Sequence, residues 1–260
     1  CTHGMHNLCA QRRIVGVACT EYRKNGAMAQ YIAVKARTLY ALPPTVSFEQ
    51  GCLVEPFAVG MHAVLRSGLA AGQTAAVIGD GTIGLMTLIA AKSQGAQVCI
   101  SGHHARPMQL AAQLGALDCA QLPQLTAERG ADVVYDAVGS QSSFTQAMEL
   151  VRKGGRIMVI GNHARTIDFP LQRCITEQID VQFRRGVPGL PAGHCRGPRR
   201  PDRPVAELSA GRGCAGVRPP CAPGRKPDQS RPDPVSSCLH TSFFLPVFAD
   251  FDLLLQHPMI

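Results

Sequence analysis

Ala75-Ala76-Val77-Ile78-Gly79-Asp80-Gly81-Thr82-Ile83-Gly84 is the stretch that sets the fold. Ala75 to Ile78 is a short apolar run and reads as a buried strand. Gly79, Gly81 and Gly84 follow in the spacing G-x-G-x-x-G, and Leu85 to Gln94 reads as a helix. Strand, glycine turn and helix in that order is the context in which the spacing marks a dinucleotide site. Gly79 permits the tight turn, Gly81 lets the backbone approach a pyrophosphate, and Gly84 allows close helix packing. The open N–H groups and positive dipole end of the helix then face the phosphates. Gly79, Gly81, Thr82, Ile83 and Gly84 are therefore the candidate pyrophosphate contacts. The competing reading is a glycine-rich turn of a structural βα unit with no ligand.

Downstream, Gln97 to Ser101 reads as the second strand. An Asp or Glu about 20 residues beyond the glycines would grip the ribose 2′-hydroxyl of NAD. The run found there, Ser101-Gly102-His103-His104-Ala105-Arg106, holds no carboxylate. Small Gly102 followed by His103, His104 and Arg106 would tolerate or attract a 2′-phosphate, which tilts the reading toward NADP. The alternative is a loop without cofactor contact. Met108 to Leu114 reads as a helix ended by Gly115, and Val133 to Ala137 as a buried strand followed by Val138-Gly139. Ser142 to Arg152 reads as a helix closed by Gly154-Gly155, and Arg156 to Ile160 as a strand ending at Gly161. Alternating strands and helices imply a parallel sheet with right-handed crossovers. Its ligands bind beyond the carboxyl ends of the strands. Val138 and Gly161 are thus candidates for the nicotinamide side.

Upstream, Ile14 to Val17 and Gln30 to Val34 read as short strands, with Asn25 and Gly26 as the turn before the second. Ser47 can cap a helix whose first turn holds Glu49. Gly51 to Leu65 then reads as a helix with a broken start. Glu55-Pro56 lies inside an otherwise apolar stretch, so its carboxylate is either paired, protonated or metal-bound, or else sits at a solvated helix terminus. His62 reads as a packed core or surface histidine. Cys1 and Cys9 have seven residues between them. One such pair cannot complete a tetrahedral zinc site, so taken alone they read as free thiols. His3 and His6 read as surface histidines.

The 260 residues suffice for one large domain or two smaller ones, and 45% hydrophobic content supports a real core. The net charge of +8 does not indicate nucleic acid, because much of the Arg crowds into the tail after Arg184. Eleven Cys without paired, regular spacing do not form a secreted disulfide framework. No signal peptide and no spanning run are seen, so a cytoplasmic location without membrane association is expected. The chain begins at Cys1 rather than Met, which reads as a fragment or a processed product. From Gly186 to about Ser236 the text is Pro, Arg, Gly and scattered Cys, a composition expected to stay disordered. Ser242 to Ile260 is apolar but interrupted by Pro246, Asp250 and Asp252. No internal repeat is present.

Several motifs in one order carry a resemblance. They are Gly26-Ala27-Met28-Ala29-Gln30-Tyr31, Leu53-Val54-Glu55-Pro56, Ala75 to Gly84, Gln113-Leu114-Gly115-Ala116, Ala131 to Gly139 and Lys153 to Gly161. Together they resemble the zinc-dependent medium-chain alcohol and polyol dehydrogenases, in the style of sorbitol and threonine dehydrogenases. The resemblance implies a Rossmann-type doubly wound parallel sheet, preceded by the remnant of a mainly-β GroES-like catalytic domain. It implies that Cys1 and Cys9 are the last two ligands of a structural zinc, and that Glu55 serves the catalytic zinc or its water. NAD or NADP and zinc are the implied cofactors. The implied substrate is a small alcohol, polyol or amino-alcohol, and the intact enzyme is expected to be a homo-oligomer.

The family's catalytic Cys and Gly-His-Glu zinc motif are missing, and the patterning stops near Arg184, where a shifted reading frame would explain the abrupt change. The expected domains are residues 1–62, the catalytic remnant; 63–185, the dinucleotide domain; and 186–260, the tail. Weak or no turnover is expected of the chain alone. Two alternatives stand beside this reading. One is a zinc-free quinone reductase of the same superfamily, against which Cys1, Cys9 and Glu55-Pro56 argue. The other is a non-catalytic protein that holds a dinucleotide or carries a basic tail to an acidic partner.

Overall fold

A computed structural model describes residues 9, 11–17, 23–162, 164 and 166–183. The chain divides into two compact units, residues 1–43 with 191–240 and residues 44–190 with 241–260. The readings placed on Cys1, His3, His6 and the tail lie outside the described residues.

In the first unit the described residues form a 3₁₀ turn, Ala36–Thr38. The strands expected at Ile14 to Val17 and Gln30 to Val34 are not formed there. Gly16 N–H donates to the Lys24 carbonyl at 3.1 Å, and Lys24 N–H donates to the Val17 carbonyl at 3.2 Å. This is the pairing of a single turn and does not extend into a ladder. A β-branched sequence becomes a strand only with a partner and a covered face. Tyr31 and Ile32 are instead exposed. Of the expected mainly-β remnant, the described residues show this pairing and no strand.

The second unit opens with helix α1, Phe48–Cys52. Ser47 caps it as expected. Its hydroxyl accepts from Gln50 N–H at 3.2 Å, while the Gln50 side chain accepts from Ser47 N–H at 2.9 Å. Helix α2, Val54–Ser67, follows with Pro56 in its first turn and Gly68 as a left-handed cap. The helix expected from Gly51 is thus two pieces joined at Leu53.

Then come β1 (Thr74–Ile78), α3 (Thr82–Ser93), β2 (Gln97–Ser101), α4 (Ala105–Gln113) and the short β3 (Leu117–Asp118). After a 3₁₀ turn at Cys119–Gln121 the chain continues through α5 (Leu122–Thr126), β4 (Ala131–Asp136), α6 (Gln141–Leu150), β5 (Val151–Val159), α7 (Leu171–Thr176) and β6 (Asp180–Phe183). All six strands are parallel, in the order β3-β2-β1-β4-β5-β6. That is the Rossmann-type order, and it reverses between β1 and β4.

The central strands β1 and β4 are buried along their whole length, so alternate residues feed two cores. Ala75 and Val77 of β1 join Phe57, Val64, Leu85, Leu88, Ile100 and Tyr135 on one side of the sheet. Ala76 and Ile78 join Val134, Phe144, Met148, Ile157 and Cys174 on the other. Residues Val151 to Gly155, expected as a helix end and its stop, belong to β5 instead. Ala131 pairs with Val151 and Val133 with Arg156, so a bulge holds the extra residues. Gly154 N–H donates to the Glu177 carbonyl at 2.8 Å, which fixes that bulge.

Candidate dinucleotide site

The glycine turn lies at the carboxyl end of β1, where the strand order reverses. Gly79 has a φ of +104°, a conformation that side chains rarely adopt. Its N–H donates to the Ser101 carbonyl at 2.8 Å, and Ala137 N–H donates to the Ile78 carbonyl at 2.9 Å. The ends of β1, β2 and β4 are thereby tied together. The other two glycines have opposite surroundings. A Cβ on Gly84 would stand 1.8 Å from the Gly79 carbonyl oxygen, whereas a Cβ on Gly81 would meet no atom within 4 Å. Gly84 is thus demanded by the turn itself, and Gly81 faces open space. Gly81 is also the N-cap of α3, with no side-chain cap and no acid in the first turn. Thr82 is exposed and Ile83 half-buried beside this open helix end.

The x position between the first two glycines is not passive. Asp80 is buried, 5% exposed. Its carboxylate accepts the His104 backbone N–H at 2.7 Å and faces His104 Nδ1 at 3.0 and 3.2 Å. Burial opposes ionisation, but the bonds from the His104 ring and backbone outweigh it and hold the Asp80 carboxyl below its ordinary range. A Cβ at position 102 would fall 2.3 Å from Asp80 Cβ and Cγ, so Gly102 is small because Asp80 fills that space. The run after β2 holds no acid of its own, but an acid reaches it from the glycine turn. His103 and Arg106 are exposed at the start of α4.

Across the reversal, Asp136 ends β4 fully buried. Its Oδ1 accepts from Val138 N–H and Gly139 N–H, both at 2.9 Å, and its Oδ2 accepts from Ser143 Oγ at 3.0 Å. Its carbonyl accepts from Ile160 N–H at 2.8 Å and Gly161 N–H at 2.9 Å. The loops after β4 and β5 then touch backbone to backbone. A Cβ on Gly161 would lie 2.1 Å from the Val138 carbonyl carbon, and one on Gly139 would lie 2.4 Å from the Gly161 carbonyl carbon. The structure thus brings Val138 and Gly161 together, on a loop pair braced by an acid that the sequence reading had not singled out.

This is a parallel six-stranded sheet with a glycine-lined, uncapped helix end at its reversal. Residues 82–187 match the family described as zinc-binding dehydrogenase. That segment belongs to the zinc-binding dehydrogenase family. The chain is similar to a sorbitol dehydrogenase of Bacillus subtilis, 30% identical over 171 residues that cover 62% of this chain and 47% of that one. In structure it is similar to the alcohol dehydrogenase TADH of Thermus sp. ATN1, with a TM-score of 0.65 and 26% identity over 70% of this chain and 57% of that one. It is also similar to a protein of Sinorhizobium meliloti 1021 described as a zinc-binding dehydrogenase bound to NADP, with a TM-score of 0.60 and 25% identity over 70% of this chain and 56% of that one. The chain spans about half the length of the curated relatives it matches.

The metal side of the resemblance reads differently from its dinucleotide side. Glu55 is exposed in the first turn of α2. Cys9 is half-buried and free. Among the described residues, no three His, Cys, Asp or Glu side chains come together to hold a metal ion. Among them, too, no helix is long and apolar enough to cross a membrane. A cavity of about 370 Å³ lies against α6, lined by Phe144, Met148, Phe169 and Arg173 among others. It takes in none of the glycine turn.

Proposed function

We propose that residues 63–185 are the dinucleotide domain of an NAD(P)-dependent oxidoreductase that moves hydride between a small alcohol, polyol or amino-alcohol and the nicotinamide. Residues 1–62 would belong to its catalytic part and 186–260 to a tail. The observation that carries the reading is Gly81, open to 4 Å at an uncapped helix end on the sheet's reversal. The fit to a dinucleotide is specific. The α3 N–H groups offer the pyrophosphate a donor set, Gly81 admits its close approach, and Asp136 presents the Val138 and Gly161 backbone for the nicotinamide side. When bound, the nicotinamide supplies the hydride acceptor. The chain's own contribution is to bind and orient it.

Zinc enters the proposal through the resemblance, which assigns Cys1 and Cys9 to a structural ion and Glu55 to the catalytic one. The described residues supply no donor set for it. A homo-oligomer is proposed on the β6 edge of the sheet. Phe183 on β6 and Leu171 and Ile175 on α7 are 63%, 61% and 67% exposed. Binding in a cytoplasmic setting to small molecules, not nucleic acid or membrane, completes the reading.

The test is titration of the 260-residue protein with NADH and NADPH, followed by nicotinamide fluorescence, with zinc content measured in parallel. Saturable binding that Gly81→Ala weakens supports the domain assignment. Binding without alcohol-dependent turnover favours a dinucleotide-binding protein over an enzyme. Absence of any binding refutes the assignment.

A further inference from the structure

We propose that the Asp80–His104 pair makes recognition of a cofactor 2′-phosphate proton-linked, so that this chain selects NADPH over NADH more strongly as pH falls toward 6.5. The proposal rests on the dinucleotide reading above and deepens it. His104 sits at the junction of β2 and α4, where the adenosine ribose of a bound dinucleotide would lie. Its Nδ1 is turned inward to the buried Asp80 carboxylate at 3.0 Å, while its side chain as a whole is 76% exposed. The inward contact assigns the proton. A carboxylate is an acceptor only, so Nδ1 carries hydrogen and Nε2 is the nitrogen left to change state. Neutral, Nε2 is an acceptor and repels phosphate oxygens. Protonated, it becomes a charged donor to them.

One neighbouring group, the exposed imidazole of His103, is of the same chemical kind, and the His104→Asn variant below leaves it in place. The turn before α3 contributes Asp80 alone. The loop and α4 contribute His103 and Arg106, and β2 carries no charge. Lys92, the one charge on α3, is at its far end on the Leu114 carbonyl. Helix α6 reaches the loop through Gln146, which donates to Ser101 Oγ at 3.1 Å, and its one charge is Glu149, three residues on. Arg106 supplies a charge that does not vary with pH in this range, and Asp80 fixes the ring. Gly102 is the accommodation that lets Asp80 reach it. An NAD ribose offers the ring only hydroxyls, which accept from or donate to either form. The phosphate monoester stays mostly doubly charged above its second pKa near 6.

The experiment measures NADPH and NADH dissociation constants on the full chain between pH 6.5 and 8. The NADPH-to-NADH affinity ratio is expected to rise as pH falls, by at most about tenfold per pH unit for one proton taken up with the ligand. The His104→Asn variant keeps a side-chain donor for Asp80 and lacks the outer nitrogen. It is expected to fold, by its circular dichroism melt, and to give a flat ratio. Binding of both cofactors with a pH-independent ratio in the unmodified chain, or an unchanged pH dependence in His104→Asn, overturns this proposal and leaves the dinucleotide site standing. Failure of both cofactors to bind at every pH overturns the two together.

Discussion

Replacing Gly84 and Gly81 in turn by Ala separates the two demands that one motif makes. At Gly84 the added methyl would stand 1.8 Å from the Gly79 carbonyl oxygen. Carbon–oxygen contact begins at about 3.3 Å, so the turn and the start of α3 must part by roughly 1.5 Å. The obstacle is backbone, which cannot rotate aside. Overpacking of this kind costs about 1–3 kcal/mol. Against it stands the helix preference of Ala over Gly, about 1 kcal/mol in a helix interior and less in a first turn. Steric cost wins. A net loss of about 1–2 kcal/mol lowers the melting temperature by about 2–8 °C for a chain of this size. At Gly81 the φ is −74° and no atom lies within 4 Å. Ala there costs at most the modest N-cap preference, under about 1 kcal/mol. Its methyl projects where a pyrophosphate must approach, so affinity for NADH and NADPH is expected to fall at least about tenfold, or 1.4 kcal/mol. Thermal melts followed by circular dichroism and cofactor titrations on the same samples read both effects. A Gly84→Ala protein that melts at or above the unmodified chain would refute the steric argument. A Gly81→Ala protein that binds as well as the unmodified chain would refute the proposed approach of the pyrophosphate.

Three further outcomes follow from buried polar groups and thiols. Asp132, at the opposite end of the sheet, accepts Thr74 N–H at 2.8 Å and Arg152 Nε at 2.7 Å. Burial raises its pKa, but the Thr74 and Arg152 bonds outweigh that and leave it below the ordinary value. Because the folded pKa is the lower one, its stabilisation is full above about pH 4 and fades as pH falls through the folded value. Asp132→Asn should be less stable than the unmodified chain at pH 7 in urea melts, and the gap should narrow toward pH 3; a gap that widens in acid contradicts the sign. Asp136→Ala strands the N–H groups of Val138 and Gly139 and the Ser143 hydroxyl. It is expected to cost about 2–4 kcal/mol and to weaken cofactor binding as the loops after β4 and β5 separate; unchanged stability and binding would show that the loops hold without it. Cys119 is driven far above the ordinary thiol range, first by its hydrogen bond to Cys99 at 3.3 Å and then by burial, and burial also raises Cys174. Native-state labelling with a thiol-reactive disulfide, mapped by peptide, should spare Cys99, Cys119 and Cys174 and modify exposed Cys52; labelling of Cys119 as fast as Cys52 would contradict the packing.

What was legible in the sequence divides along a physical line. Strands β1 and β2 stood out because a parallel strand buried on both faces must be an unbroken apolar run, and Ala75 to Ile78 and Val98 to Ile100 are such runs. The glycine turn stood out because its requirements are met by one residue type. Strand β3 did not, because Leu117–Asp118 is two exposed residues whose pairing depends on β2 lying alongside. The segment from Val151 to Gly155 misled because Gly154-Gly155 ends a helix or bulges a strand equally well, and only Ala131 across the ladder decides. The strands read at Ile14 to Val17 and Gln30 to Val34 failed for the converse reason: local β preference had no partner to complete it.

The site shows the same division at the scale of single side chains. A motif written G-x-G-x-x-G treats x as free, and the missing acid after β2 was sought in the run that follows β2. In the folded chain the acid comes from the x at Asp80 and closes on His104, 24 residues away. Asp136 was read only as part of a strand. Its apolar neighbours gave no hint that its carboxylate and carbonyl together would accept five hydrogen bonds, from Val138, Gly139, Ser143, Ile160 and Gly161. Burying a carboxyl group is tolerated only where donors meet it: the His104 backbone and ring at Asp80, and the Val138 and Gly139 N–H groups with the Ser143 hydroxyl at Asp136. The buried acids therefore shape the loops at the carboxyl ends of the strands. Glycine spacing locates the turn; the acids beside the glycines set the course of the loops around it.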